Sequence, residues 1–412
     1  MSITAYPIYE SYTNSGVEWL GRVPTTWQLT RLGSVFDERK AKVSDKDFEP
    51  LSVTKNGIFP QLETAAKTND GDNRKLVKAG DFVINSRSDR KGSSGISSLD
   101  GSVSLINIVL KPNGIRPDFC HHILKSYAFV EEYYRMGHGI VADLWTTRYD
   151  EMRTIIMALP SQDEQRTIAA FLDEKCAKVD EAVRIKEEQI ALLRERRQTL
   201  IQQAVTRGLN PAAPMKDSGI DWIGHIPAHW EVMSIRYAFK FRNNQRIPIS
   251  ASERAGKQGE YPYYGASGII DYVRGYIFDE DLILIAEDGA NLLSKSTPLA
   301  FVATGKYWVN NHAHILEPLF PGFKYWAELL SAVDYTVHIS GSAQPKLTKD
   351  RLGSVRVPVP PAEERLDIIS FIEEQSEKFA NAIAIKEEQI ATLKEYKTTL
   401  INAAVTGKIK VA

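Results

Sequence analysis

Between residues 160 and 207 apolar residues recur at alternating steps of four and three: Leu172, Cys176, Val179, Val183, Ile190, Leu193, Leu200 and Ala204. That spacing is the seam of a coiled-coil helix. Pro160 opens the run, and Asp163 and Glu164 fall in its first turn, where the helix dipole favours negative charge. No Pro or Gly interrupts the run between Ser161 and Arg207. Residues 360–406 repeat the pattern with Ile372, Phe379, Ile383, Ile390, Leu393, Leu400 and Ala404. The heptapeptide Ile185 to Ala191 is identical to Ile385 to Ala391. Both runs place cations in the seam, Lys186 and Arg197 in one and Lys386 and Lys397 in the other. Polar seam residues cost stability and fix register, which suits two helices made for each other. The alternative is two unrelated surface helices, each packed on its own domain.

Orientation follows from the connection. At 1.5 Å per residue each helix is roughly 65 Å long. A module of about 135 residues between them has a radius of gyration near ~14 Å, too small to carry the chain back to the start of a parallel partner. The pattern predicts an α+β protein: two mixed, strand-rich modules at opposite ends of a long antiparallel two-helix coiled coil, with a pseudo-twofold internal duplication. The expected segments are a first module over 1–159, a helix over 160–207, a linker over 208–216, a second module over 217–359, a helix over 360–406 and a tail over 407–412.

A second repeat supports this division. Asn14 to Gly21, with Trp19, Pro24 and Trp27, matches Asp217 to Gly224, with Trp222, Pro227 and Trp230. These turn-rich lead-ins read as packing anchors, with stacking platforms as the alternative. Beyond them the copies diverge. The first insert, about 28–155, has β-branched runs at Leu51 to Thr54, Asp81 to Asn85 and Val103 to Leu110, then a helical patch at Phe119 to Tyr134. The second, about 231–355, has runs at Gly268 to Val273, Leu282 to Ala286, Leu299 to Val302 and Tyr307 to Asn310, then a helix around Tyr325 to Val333. One frame around two different inserts implies one task performed on two targets.

Composition changes this picture little. With 412 residues and a quarter of them charged, the chain has the make-up of a soluble protein of two or three domains. Cys120 and Cys176 give neither a disulfide framework nor a metal spacing. A polar start and the lack of any membrane-length apolar run predict a reduced, cytoplasmic protein without a membrane partner. The net charge of −1 is low for a protein that grips DNA by charge alone.

Catalytic signatures are absent. The sequence holds no phosphate-binding loop, no dinucleotide fingerprint and no nucleophile elbow. Val359-Pro-Pro-Ala362 lacks the amide and the aromatic ring of an amino-methyltransferase motif. Glu395-Tyr-Lys397 resembles the tail of a nuclease motif but lies mid-helix with no upstream partner. Two clusters instead suit a polar surface. Asn85 to Ser94 places Arg87, Ser88, Arg90, Lys91 and Ser94 on one loop after a strand, and Thr54, Lys55 and Asn56 end an earlier strand. Arg pairs bidentately with guanine or phosphate, and Ser and Thr contact either. The second insert offers Tyr264, Ser267, Asn291, Lys295, Asn310, Asn311, His312 and His314, with Gln344 and Lys346 in a segment before the second helix. Asn is the bidentate partner of adenine. A solvated turn, a structural Asn-His run or a pair of metal ligands at His312 and His314 are the alternatives. The segments Gly139 to Thr147 and Gly341 to Thr348 form a further pair, one before each helix.

Two variable modules, each followed by a helix opened by Pro160 or Pro360 and an acidic turn, resemble the specificity subunit of type I restriction-modification systems. The Gly341 to Thr348 segment and the Trp-x-Gly-x-x-Pro lead-ins at Trp19 and Trp222 are similar to that family's pattern. The resemblance covers essentially the whole chain. It implies two target recognition domains, each reading one half of a split double-stranded DNA site, and a non-catalytic chain. It also implies a helical rod that sets the spacer and docks two modification (methyltransferase) subunits, which use S-adenosylmethionine. Separate restriction/translocase subunits would use ATP and Mg2+ and cleave DNA. No cofactor is expected in this chain. The rival readings are a duplicated hydrolase or nuclease, which needs a catalytic constellation, and a two-ended scaffold that does not act on DNA.

Overall fold

The computed structural model describes residues 5–63, 71–139, 145–341 and 344–411. They form two units, Met1–Glu187 with Glu387–Ala412, and Glu188–Lys386. Both unit boundaries fall inside the repeated heptapeptide, between Glu187 and Glu188 and between Lys386 and Glu387.

The first unit opens with the lead-in hairpin β1 (Tyr12–Asn14) and β2 (Arg22–Pro24), then β3 (Gln28–Arg31) and β4 (Phe36–Glu38). Its insert continues as β5 (Lys42–Val43), β6 (Leu51–Thr54), β7 (Gly57–Pro60), β8 (Arg74–Val77), β9 (Phe82–Asn85), β10 (Ser94–Ile96), β11 (Gly101–Val103) and β12 (Asn107–Pro112). Helices α1 (Pro117–Lys125), α2 (Tyr127–Arg135) and α3 (Tyr149–Met152), strand β13 (Ile156–Leu159) and the long helix α4 (Gln162–Arg207) complete this run. The expected single helical patch is two helices. Ser126 takes an extended backbone and accepts the Phe129 amide on its hydroxyl, so it ends one helix and caps the next.

In the second unit the lead-in is β14 (Met215–Asp217) and β15 (His225–Pro227), followed by β16 (Glu231–Ser234), α5 (Ile235–Ala238), β17 (Phe239–Phe241) and α6 (Ala251–Ala255). The insert holds β18 (Gln258–Gly265), β19 (Gly268–Val273), β20 (Phe278–Asp279), β21 (Leu282–Ala286), α7 (Asn291–Ser294), β22 (Ala300–Ala303), β23 (Lys306–Val309) and β24 (Ala313–Pro318). Helix α8 (Phe323–Ala332), α9 (Lys349–Ser354), β25 (Arg356–Val359) and the long helix α10 (Ala362–Val405) come last.

The duplication is explicit in the sheets. The first unit has a four-stranded sheet in the order β10-β9-β12-β4, and the second has β22-β21-β24-β17. Pro112 pairs with Phe36 as Pro318 pairs with Phe239, and Leu110 with Phe82 as Leu316 with Ile283. Strand β13 pairs with β3 as β25 pairs with β16, closing each module onto the strand that began it. The central strands β9 and β21 are buried along their whole length, which explains their unbroken apolar runs. What differs is the remaining sheet: β11-β8-β5 with the β6-β7 hairpin in one unit, and β19-β18-β23-β20 in the other.

Each unit packs its sheet and helices on parts of both long helices. In the first, Phe36, Phe82, Phe119 and Phe129 share a core with Leu172 of α4 and with Leu400 and Ala404 of α10. In the second, Phe239, Trp326 and Leu329 share a core with Ile201 and Ala204 of α4 and Ile368 and Ile372 of α10. The pairing of α4 with α10 is antiparallel: Lys397 Nζ meets Asp180 at 2.7 Å, and Lys394 lies 3.9 Å from Glu187. Both seam cations near the helix ends have partners, since Arg197 donates to the Ser376 hydroxyl at 3.2 Å. The helices stop at Gly208 and Gly407, each at a φ of 71°. Such left-handed residues close a helix, and glycine takes the conformation without a Cβ penalty. No helix among the described residues is long and apolar enough to cross a membrane.

Candidate nucleic-acid interface

Equivalent polar ladders form where β9 and β21 run out. Beyond β9, Arg87 bridges Thr146, which in turn bridges His138; beyond β21, Asp288 bridges Lys346, which bridges Ser340. The backbone bonds match. The Thr147 amide donates to the Ser86 carbonyl (3.0 Å) and the Ser88 amide to Trp145 (3.0 Å). In the second unit Leu347 donates to Glu287 (2.8 Å) and Gly289 to Pro345 (3.1 Å). The described parts of the paired segments 139–147 and 341–348 supply Thr146 and Lys346, the middle position of each ladder; residues 140–144 and 342–343 lie outside the described residues.

The side chains on this common backbone differ in charge. In the first unit Arg87 and Arg90 are exposed, and Arg90 lies 3.5 Å from Asp89. Lys91 is held by Glu131 at 2.6 Å and lies over the Tyr134 ring. A groove of about 470 Å³ beside Arg87 is lined by Lys75, Thr146, Arg148 and Glu38. Its cations suit phosphate and guanine alike.

In the second unit the ladder is built round carboxylates. Arg246 Nη1 donates to Glu287 at 2.6 Å, and Lys346 Nζ lies 3.5 Å from the same carboxylate. Burial works to raise the Glu287 pKa, but the Arg246 hydrogen bond and the nearby Arg246 and Lys346 charges outweigh it and hold the group below its ordinary value. Asp288 accepts from His312 Nδ1, at 2.9 and 3.0 Å from its two oxygens.

Several residues proposed from sequence as DNA contacts are buried or hydrogen-bonded within the fold. Ser94 is fully buried in β10, where its carbonyl accepts from Lys125 Nζ. Asn310 is buried, and its side-chain oxygen accepts the His312 amide at 2.8 Å. His314 is 1% exposed. Its Nε2 donates to the Leu347 carbonyl (2.7 Å), which leaves Nδ1 to accept from Asn243 (2.8 Å). Burial lowers its pKa. His312 and His314 therefore face different partners, and no metal-binding cluster occurs among the described residues. Asn291 ties its own loop, accepting from Ser296 and Thr297 and donating to the Thr297 carbonyl. Lys295, at a φ of 47°, donates to the Val333 carbonyl. Thr54 donates to the Gly57 carbonyl and accepts the Asn56 amide, closing the β6-β7 hairpin.

The rest are accessible. Lys55 and Asn56 form the exposed tip of that hairpin, Ser267 is exposed in the β18-β19 turn, and Asn311, His312, Gln344 and Lys346 are exposed along the second ladder. Ser88 is half-buried in the first ladder. Tyr264 is half-buried between Phe301 and Tyr307, and burial raises its phenol pKa. Sequence reasoning missed Arg148 and did not select Asp288. The signal was available, because Asp288 comes after Arg87 by roughly 200 positions, the period of the duplication.

Residues 227–395 match the family described as the type I restriction modification DNA specificity domain. A type I restriction enzyme specificity subunit of Haemophilus influenzae is 36% identical over 134 residues, covering 32% of this chain and 33% of that protein. The match thus spans about a third of that relative's length. The type I restriction enzyme MjaVIII specificity subunit of Methanocaldococcus jannaschii is 23% identical over 436 residues, covering 95% and 94% of the two chains. Among solved structures, a chain from work on complex assembly and conformational transition of the type I R-M system superposes with a TM-score of 0.68 at 16% identity. It covers 93% of this chain and 98% of that one, so the likeness is one of fold.

Proposed function

We propose that the chain is a specificity subunit of a type I restriction-modification system, as the match over residues 227–395 and the likeness to the MjaVIII subunit support, and that each of its units reads one half of a bipartite double-stranded DNA site. The single observation that carries this is the ladder at the exits of β9 and β21: one backbone arrangement that presents Arg87 and Thr146 in one unit and Asp288 and Lys346 in the other. A duplicated frame with exchanged polar side chains is what reading two different base sequences requires. Helices α4 and α10 set the spacer between the half-sites and dock two modification subunits. Those subunits supply S-adenosylmethionine and methylate adenine, and restriction subunits supply ATP and Mg2+ chemistry. The chain itself is the recognition component and carries no catalysis.

The experiment is an insert exchange. Residues 28–155 are replaced by the corresponding insert of a relative, the chain is expressed with its modification subunits, and methylated adenines are mapped across the host genome. The expected outcome is a change in one half of the methylated motif with the other half and the spacer kept. A change in both halves, or no bipartite motif with the unaltered chain, overturns the proposal.

A further inference from the structure

We propose that Asp288 and His312 form a base-reading pair in the second unit, selecting a base that presents an amino group in the major groove, adenine or cytosine. His312 is the reader and Asp288 the positioning residue. The inference rests on the proposed function and names the chemistry of one position in the second half-site.

A carboxylate only accepts, so the His312 Nδ1 that lies 2.9 and 3.0 Å from Asp288 carries the proton. In the neutral ring the other nitrogen, Nε2, is then an acceptor, and among the described residues it has no hydrogen-bond partner. The exposures fit the division of roles: the His312 side chain is 47% exposed and that of Asp288 16%.

Both residues are held from the backbone. The Glu287 amide donates to the His312 carbonyl at 2.9 Å, the His312 amide donates to Asn310, and Asp288 is bridged to Lys346. The reader is therefore oriented before any ligand arrives, the condition under which one contact discriminates well. In the major groove adenine N6 and cytosine N4 are the donors, while guanine offers N7 and O6 and thymine O4 as acceptors. An outward acceptor accordingly selects adenine or cytosine.

The first unit gives the contrast. At the position equivalent to Asp288 it carries Arg87 on the same ladder, and a guanidinium offers only donors. Arg87 accordingly suits guanine. The two half-sites differ in hydrogen-bonding sense at this one structural position.

The test uses the chain with its modification subunits. The methylated motif is mapped for the unaltered chain, and binding is then measured by competition with duplexes altered one base pair at a time. The variants are His312→Ala, Asp288→Leu and the near-isosteric Asp288→Asn, each first checked for an unchanged unfolding transition. At one position of the second half-site the unaltered chain should prefer adenine or cytosine by ~5- to 100-fold over guanine and thymine. His312→Ala and Asp288→Leu should abolish that preference and leave every other position as it was. Asp288→Asn, which still offers an oxygen to Nδ1, should retain most of it. Folded His312→Ala protein that keeps every preference, or loses the whole half-site, overturns the assignment. So does Asp288→Asn that behaves like Asp288→Leu, since Asp288 would then touch the base itself. An unaltered chain that yields no bipartite motif would instead defeat the proposed function.

Discussion

Trp27 donates its indole proton to the carboxylate of Glu164 at 3.2 Å, joining the lead-in of the first unit to the opening turn of α4. The second unit repeats the bond, with Trp230 donating to Glu364 at 2.9 Å. Each carboxylate has a second donor, Tyr9 Oη at 2.6 Å in one unit and His229 Nε2 at 2.7 Å in the other. A carboxylate in the first helical turn also faces the positive end of the helix dipole. The anchor thus fixes the direction in which each long helix leaves its module.

Trp27→Phe keeps the ring packing and removes the donor. It should destabilise the first unit by about 1–3 kcal/mol, the cost of losing a hydrogen bond to a charged group. Denaturant unfolding measures this, and an unchanged midpoint would mean that the indole contributes packing alone.

Gly407→Ala should be among the more damaging single-methyl additions in the chain. The residue is left-handed, and an added Cβ would lie 2.6 Å from Pro24 Cγ and 3.3 Å from the Trp27 ring. Gly305 has nearly the same φ, 68°, but nothing within 4 Å of an added Cβ. Gly305→Ala should cost about 1 kcal/mol of backbone strain, and Gly407→Ala clearly more. Thermal unfolding of the two variants side by side decides the point.

Acid should weaken the fold through buried imidazoles. Burial, then the neighbouring His122, pushes the His121 pKa down to about 4; burial also lowers that of His122, against the opposing effect of its hydrogen bond to the Asp173 carboxylate. Below about pH 6.5 the unfolded chain takes up protons that the folded chain refuses. Stability therefore rises with pH across this window and is lost as pH falls from about 6.5 towards the folded value near 4. For His121 alone the loss is about 1–3 kcal/mol. Urea unfolding at pH 7 and pH 5 should show the decline, and His121→Gln should flatten it.

Arg87 and Arg90 sit on one loop, Arg87 paired in the ladder and Arg90 in the turn beyond it. Arg87→Ala should cost about 1–3 kcal/mol on the cognate duplex and relax one base of the first half-site. Arg90, exposed and beside Asp89, should act on the backbone. Arg90→Ala should weaken binding on all sequences and lower the salt slope by about one. Titrations on cognate and scrambled duplexes at several salt concentrations separate the two effects.

The frame was readable because it repeats. Seam periodicity located both long helices, and the paired lead-ins showed where the two copies begin, although the strands that open each module, β3 and β16, were not marked. Residue accessibility was much less readable. Asn310 and His314 have the chemistry of base readers, but Asn310 is buried just after β23 and His314 lies in the stretch of β24 that is buried on both faces. Asn311 and His312, their neighbours in sequence, face out. Ser94 belongs to a strand that pairs with β9, so the loop of cations ends before it. A polar residue type reports what a side chain could bind, and only the register of its strand decides whether it is reachable.

The unit boundaries have a genetic consequence, because they lie within the two copies of Ile-Lys-Glu-Glu-Gln-Ile-Ala. An unequal crossover between the two coding stretches would delete 200 codons, since Ile185 and Ile385 begin the repeats. The shortened gene would encode the residues of the first unit as one continuous chain. The front half of α4 would then run straight into the back half of α10 as a single helix. Asp180 and Lys397, which now bond within one unit, would lie on that same helix. They could meet again only between two copies, and under the proposed function such a half-length product would read a palindrome.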